Sequence, residues 1–324
     1  MKKAFPAFML FILVAAVPAC HFHLDLLGPD KLQEKVLVPS KAKDKILVIE
    51  VEGVITSSGG PGLLSREKNP VARVTERLDA ARLDKSVKAV ILKLDTPGGE
   101  VTASDIIHHE ITRFKKETGR PVVSMMMGTA ASGGYYIAMA GDYVIAHPST
   151  VTGSIGVISI FPDFHLLMSK FGVQVNVIKS GQAKDSGSPF RAMTDEEKDL
   201  FQAIINDYYA RFLEIVTANR GKKMSGDEIR GLADGRVFTA GQALKAGLID
   251  KTGYFEAASR KALELAGINS AKIVTYTYDP GGKTNVYAGM LKAPATPDEG
   301  YLESLLPRLR SGFYYLWLPE PGKR

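Results

Sequence analysis

The sequence predicts an α/β fold: repeated strand–helix units forming a mostly parallel sheet, followed by a helical C-terminal portion. Three observations carry this. Short apolar runs of strand length alternate with amphipathic helical stretches from residue 45 to residue 178. The breaks between them hold glycine and proline turns rather than two-residue hairpin signals. Helix-start signals then recur after Thr194. Strands separated by helices pair in parallel through right-handed crossovers. With 324 residues, 45% of them hydrophobic, the chain has material for one large core or two medium ones. No internal repeat is found.

The N-terminus is expected to be an export signal. Met1-Lys2-Lys3 gives a positive start, residues 4–17 are apolar apart from Pro6, and Val17-Pro18-Ala19-Cys20 ends the run. That is short for a spanning helix, which needs about 20 apolar residues. Cys20 is the sole cysteine, so the chain forms no internal disulfide. Its place directly after a small residue resembles a bacterial lipobox, whose cysteine is lipidated and becomes the mature N-terminus. An uncleaved anchor, or ordinary signal cleavage leaving a free thiol, are the alternatives. All three export the chain, and two keep it on the outer side of the cytoplasmic membrane. Residues 21–44 are polar with Gly28-Pro29 and Pro39-Ser40, and are expected to be a tether. The net charge of +6 has no concentrated basic run, so no nucleic-acid partner is expected.

The alternating region reads in order. Residues 46–51 form a strand, and Gly53 with Gly59-Gly60-Pro61-Gly62 marks a break. Asn69 caps a helix with Pro70 at its first position, running through Leu83. Residues 87–94 are the next strand, followed by Asp95-Thr96-Pro97-Gly98-Gly99-Glu100 and a helix to about Glu117. Residues 121–127 form a buried strand that enters GTAASGGYYIA at 128–138 and then a helix. Residues 143–146 are a strand, a short helix ends near Gly172, and residues 173–178 are a further strand.

Sites in such sheets gather at the carboxyl ends of the strands. A strand running into a small-residue turn and a helix fixes the first side chain of the turn, Ser132, in an exposed position. Backbone amides beside it can stabilise a developing oxyanion. Gly99 and Gly133 can each present an N–H there, since neither carries a Cβ. The other reading is that these residues are small only to let helix and sheet pack closely. No phosphate-cradling or dinucleotide fingerprint is present. None of the six histidines has metal-ligand spacing or is aimed at Ser132, so no metal and no cofactor is expected. A base is available in Lys184, which follows a glycine break in a loop of small residues. A lysine acts as a base only where desolvation lowers its pKa toward about 7–8. A solvated surface lysine is the alternative.

Four stretches in order over residues 45–266 resemble the signal peptide peptidase A family: DTPGG at 95–99, GTAASGGYY at 128–136, TGSIGV at 152–157, and SGQAKDSGSPFR at 180–191 with Met193-Thr194. The family consists of serine–lysine proteases with a ClpP/crotonase-like fold. The resemblance implies Ser132 as nucleophile, Lys184 as base and Ser154 as the residue orienting the lysine. It also implies the backbone N–H groups of Gly99 and Gly133 as oxyanion donors. Ala183 stands where relatives usually carry an aromatic residue. The implied substrates are remnant signal peptides or other membrane-derived apolar peptides, and the implied partner is the chain itself, in a ring. A groove ending in small-residue turns is expected to take extended apolar peptides with a modest residue before the cut.

Three capping boxes, Thr194 with Glu197, Ser225 with Glu228 and Thr239 with Gln242, predict helices in the second half, and residues 255–265 a fourth. The peptidase domain is expected at 45–268. Residues 269–324 are expected to form a tail ending in an apolar patch, Phe313-Tyr314-Tyr315-Leu316-Trp317-Leu318, that packs on the body or a neighbour; a membrane-surface contact and a self-substrate segment are the alternatives. A crotonase-like acyl-CoA enzyme and a non-catalytic lipoprotein scaffold are the other function classes; neither needs both Ser132 and Lys184.

Overall fold

The computed structural model describes residues 31–57, 69–278, 285–287 and 312–317. The export segment, Cys20, the 59–62 loop and most of the tail lie outside the described residues. Among those described, β2 (Lys45–Glu52), β3 (Val87–Thr96), β5 (Val122–Ala131), β6 (Tyr143–Ala146) and β10 (Lys251–Thr252) lie side by side in that order, all parallel. The crossovers from β2 to β3 and from β3 to β5 carry α1 (Pro70–Leu83) and α2 (Val101–Thr118). Asn69 caps α1, accepting from the Ala72 N–H at 2.8 Å, with Pro70 at the first helical position as the sequence predicts.

Alternation along the strands divides the core. Leu47, Ile49 and Val51 face Val74 and Leu78 of α1 and Ile107, Ile111 and Phe114 of α2. Ile46, Val48, Ile91 and Met125 face the opposite side, beneath Phe255, Ala258 and Ala262 of α8 (Phe255–Ala266). Both faces of the central strands are therefore buried, which is why they read as near-continuous apolar runs.

The three predicted capping boxes are present, opening α5 (Asp195–Arg220), α6 (Gly226–Leu232) and α7 (Ala240–Lys245). Three expectations need correction. Residues 173–178 are not a strand: Val173, Val175 and Val177 alternate as a strand would, but they are exposed and pair with no strand among the described residues. The expected tether contributes β1 (Gln33–Val38), and the expected tail contributes β11 (Lys272–Thr277), which pairs with β1 on one side and β2 on the other. The edge of β2 supplies the unpaired backbone groups that draw these weakly patterned segments into strands.

A second, smaller sheet lies at the carboxyl ends of the main strands. It consists of β4 (Gly98–Glu100), β12 (Phe313–Leu316) and β8 (Ile158–Ser159), with β12 in the middle and antiparallel to both neighbours. The apolar patch of the tail thus packs on the body.

Candidate active site

β5 continues past its expected end to Ala131, and the chain turns at Ser132 into α3 (Gly133–Ala138). Ser132 has φ 51° and ψ −112°, and Ser154 has φ 50°. These are the only non-glycine residues with positive φ among the described residues. A side chain in that region costs on the order of 1–3 kcal/mol and persists only where the surroundings enforce it. They do so here. The Ser132 N–H donates to the Gly153 carbonyl at 2.7 Å, and the Ser154 N–H donates to the Arg236 carbonyl at 2.8 Å.

The two serines are neighbours because of strand register. β7 (Val151–Gly153) pairs in parallel with the end of β5, Ala131 opposite Gly153, so Ser132 and Ser154 are each the next residue beyond a matched pair. Both are buried, and Ser132 almost completely, which corrects the expectation that the turn leaves it exposed: β7 and the strand-to-helix turn close over it. The Ser132 hydroxyl does not cap α3, so its own helix makes no use of it.

β4 brings the second glycine turn to the same place. The Ile55 N–H donates to the Gly98 carbonyl (2.9 Å), and the Glu100 N–H donates to the Ile55 carbonyl (2.8 Å). Ile55 thereby occupies one side of β4, and the N–H of Gly99, the residue between, points to the other side. Gly98, at φ 101°, approaches α3 so closely that a Cβ there would sit 2.7 Å from the Gly133 nitrogen. Only glycine fits at that point. The Gly98–Gly99 turn and the Gly133 amide therefore converge beside Ser132.

Lys184 is placed differently. It lies on a short 3₁₀ turn, Gln182–Asp185, exposed to solvent, and its amine makes no hydrogen bond or ion pair among the described residues. The turn itself is firmly held. Arg191 donates to both carboxylate oxygens of Asp185 (2.8 and 2.9 Å), and Lys179 adds a third bond at 2.6 Å. Arg191 also grips Glu197, on the first turn of α5, with one bond at 2.9 Å. Hydrogen bonding to Arg191 holds both carboxyls below the usual range, Glu197 down to about 2. Depressed carboxyl pKa values stabilise above the unfolded value of about 4 and lose that contribution as pH falls. The clamp is thus complete at neutral pH and opens only in strong acid. Replacing Arg191 with glutamine is expected to free the Lys184 turn and lower kcat/KM by about 10²-fold, through misplacement rather than unfolding. Steady-state kinetics beside circular dichroism checks this, and an unaltered rate would show that the clamp does not position Lys184.

Comparison with known proteins gives the family. A model of peptidase family S49 matches residues 114–269, and a Clp protease model matches residues 65–152. The first spans Ser132, Ser154 and Lys184; the second spans Gly99, Ser132 and Gly133. A putative signal peptide peptidase SppA of Enterococcus faecium is 34% identical over 262 residues, covering 81% of this chain and 75% of its own. The chain belongs to peptidase family S49. A putative protease of Methanocaldococcus jannaschii is 37% identical over 217 residues, covering 67% of this chain and 68% of its own. Protease 4 of Haemophilus influenzae is 38% identical over 241 residues, 73% of this chain but only 36% of that longer protein. Like these S49 relatives the chain is a serine peptidase, built on a ClpP-like α/β fold.

Around Ser132 and Ser154 the structure gathers groups that the sequence reading did not place there. A cleft of about 440 Å³ opens beside Ser154, lined among others by Val157, Asn206, Asp234 and Trp317. Arg191 stood inside a quoted motif and Glu197 inside a capping box, but nothing in the sequence paired the two. Tyr315 joins the site from 183 positions beyond Ser132 (315 − 132), out of reach of any local signal.

Proposed function

We propose that this S49 peptidase cleaves apolar peptides with a Ser132/Lys184 dyad, at the outer face of a membrane to which Cys20 anchors it. The observation that carries this reading is the coincidence of strain and motif: among the described residues, the two non-glycine residues with positive φ are Ser132 and Ser154, the serines of the two family motifs. The Ser132 oxygen attacks the peptide carbonyl carbon while the neutral Lys184 amine takes its proton. The Ser154 hydroxyl orients that amine. The N–H groups of Gly99 and Gly133 stabilise the oxyanion, and water then hydrolyses the acyl-enzyme with the same lysine as base.

Lys184 requires a second copy of the chain to reach this arrangement. In one chain it is solvated, and the segment leading to it is apolar and uncovered. Leu166, Phe171 and Ile178 are 68%, 77% and 100% exposed, beside further exposed valines. An apolar surface of this extent marks a protein–protein contact. A ring of identical subunits would cover it and bring each lysine to a neighbour's serine. Remnant signal peptides fit as substrates, since they are apolar and stay in the membrane after export; among the described residues, no helix is long and apolar enough to cross a membrane.

The test compares a leucine-rich peptide with an acidic one of equal length, for wild type and Ser132→Ala. Wild type is expected to cleave the leucine-rich peptide at least about tenfold faster, and the variant neither. Equal turnover of both peptides would remove the apolar-substrate reading.

A further inference from the structure

Asp95 opens the stretch that ends in Gly99, yet its side chain has no place in the chemistry of Ser132. Its place follows from a mismatch between neighbouring strands. β3 and β5 run in even register from Val90 opposite Val122 to Leu94 opposite Met126, but the next matched pair is Thr96 opposite Ala130. Over that interval β3 advances two residues and β5 advances four, so β5 bulges between Met126 and Ala130. At the same point β5 changes partner on its other edge: β6 ends opposite Met126, and β7 begins opposite Thr129. A bulge takes backbone groups out of the ladder, and each buried one needs a partner from elsewhere.

Side chains supply those partners. The Thr150 hydroxyl lies within hydrogen-bond distance of the Met126 and Met127 carbonyls, and the Thr152 hydroxyl donates to the Ala130 carbonyl at 2.6 Å. On the β3 side the Thr129 N–H donates to the Asp95 carboxylate at 2.9 Å. A bond to a charged acceptor is among the stronger ones a backbone N–H can make. Thr129 stands three residues before Ser132. The main chain of Asp95 serves the other half of the site. Its carbonyl accepts from the Gly53 N–H at 3.0 Å, two residues before Ile55, whose own N–H and carbonyl hold Gly98 and Glu100 on either side of Gly99. One residue thus ties the strand that carries the nucleophile to the segment that holds the oxyanion strand. The contact is close: a Cβ on Gly128 would sit 3.2 Å from one Asp95 carboxylate oxygen and 3.7 Å from the other.

We propose that Asp95 is a positioning residue of the peptidase: its carboxylate, bonded to the Thr129 N–H, sets the shape of the β5 bulge and so the placement of Ser132 against the Gly99 amide. This rests on the Ser132 reading. Asp95 acts through the strand and does not touch substrate. By strand alternation its side chain follows Ile91 onto the α8 side of the sheet, whereas α3 packs on the other side with Leu94. What the bulge needs is an acceptor oxygen at one point. Asparagine offers an oxygen there without the charge. Glutamate keeps the charge but carries its oxygens one methylene further, into the space that Gly128 leaves. A displaced bulge passes its shift to Ser132 through Ala130 and Ala131, and a misplacement of about 1 Å costs on the order of 10²-fold in rate. Because the groove itself is untouched, the loss falls on kcat and spares KM.

The experiment measures kcat and KM of the full chain on a leucine-rich peptide, beside the rate at which a fluorophosphonate labels Ser132. Asp95→Ala and Asp95→Glu are each expected to lower kcat about 10²-fold with KM within about twofold, and to slow labelling in proportion. Asp95→Asn is expected to stay within about fivefold of wild type, since the oxygen remains in place. Gly128→Ala presses the carboxylate away from Thr129 and is expected to lower kcat about tenfold, with no further loss when added to Asp95→Ala. Gly128→Ala and Asp95→Glu also carry the reading should Asp95→Ala fail to fold. A wild-type kcat in Asp95→Ala would overturn the proposal alone, as would a raised KM with kcat unchanged. An active Asp95→Glu beside an inactive Asp95→Asn would overturn it too, by showing that the charge matters and the placed oxygen does not. If Ser132→Ala cleaves the peptide as wild type does, the dyad reading fails and this proposal falls with it.

Discussion

Ser132→Ala and Lys184→Ala are each expected to lower kcat by at least about 10⁴-fold, and the double variant to be no worse than either. The non-additivity follows from the roles assigned: a serine without its base, or a base without its serine, does no chemistry. Stability should hardly move. The Ser132 hydroxyl caps no helix, and alanine meets the same strain at φ 51°, so the substitution neither relaxes nor breaks the turn. Lys184 has no partner within the described residues, so removing its amine takes nothing from the fold of one chain. Kinetics on the leucine-rich peptide, with thermal unfolding of the same samples, checks both halves. A Lys184→Ala enzyme working near the wild-type rate would dismiss Lys184 as the base. A large fall in unfolding temperature would mean that Lys184 has a structural role the single chain does not reveal.

What could be read from the sequence was what short-range chemistry dictates. Asn69 with Pro70, and the Ser/Thr caps at 194, 225 and 239, satisfy their own helix ends, so those starts were visible locally. The buried parallel strands were visible too, because covering both faces leaves an unbroken apolar run. Ser132 stood out by its setting, a strand entering a small-residue turn. Pairings between distant segments were not visible. Residues 33–38 and 272–277 carry little pattern of their own and become strands because an edge of β2 awaits them. Residues 173–178 carry a strand pattern but pair with no strand among the described residues. Tyr315 reaches the site only because Gly98 lacks the Cβ that would exclude its carbonyl. Lys184 shows the same division: its motif singled out the residue, while the described residues of one chain give its amine no partner.

Mixing Ser132→Ala subunits with Lys184→Ala subunits is expected to restore activity that neither parent has. If each site takes its serine from one chain and its lysine from the next, a mixed ring contains junctions where an intact serine meets an intact lysine. Random mixing at equal proportions makes about one junction in four of that kind, so recovery toward a quarter of wild type is expected if the sites act independently. The physical motive is the exposure of the Lys184 turn together with the apolar segment before it, surfaces that one chain leaves in water. A second chain seated there would desolvate the lysine and so favour its neutral form, which is the form a base needs. Subunits must exchange for the test to work, so the two variants are unfolded together and refolded, with wild type treated alike. Co-assembled rings as inactive as either parent would place Ser132 and Lys184 of each site on one chain, and the exposed apolar segment would then need another partner.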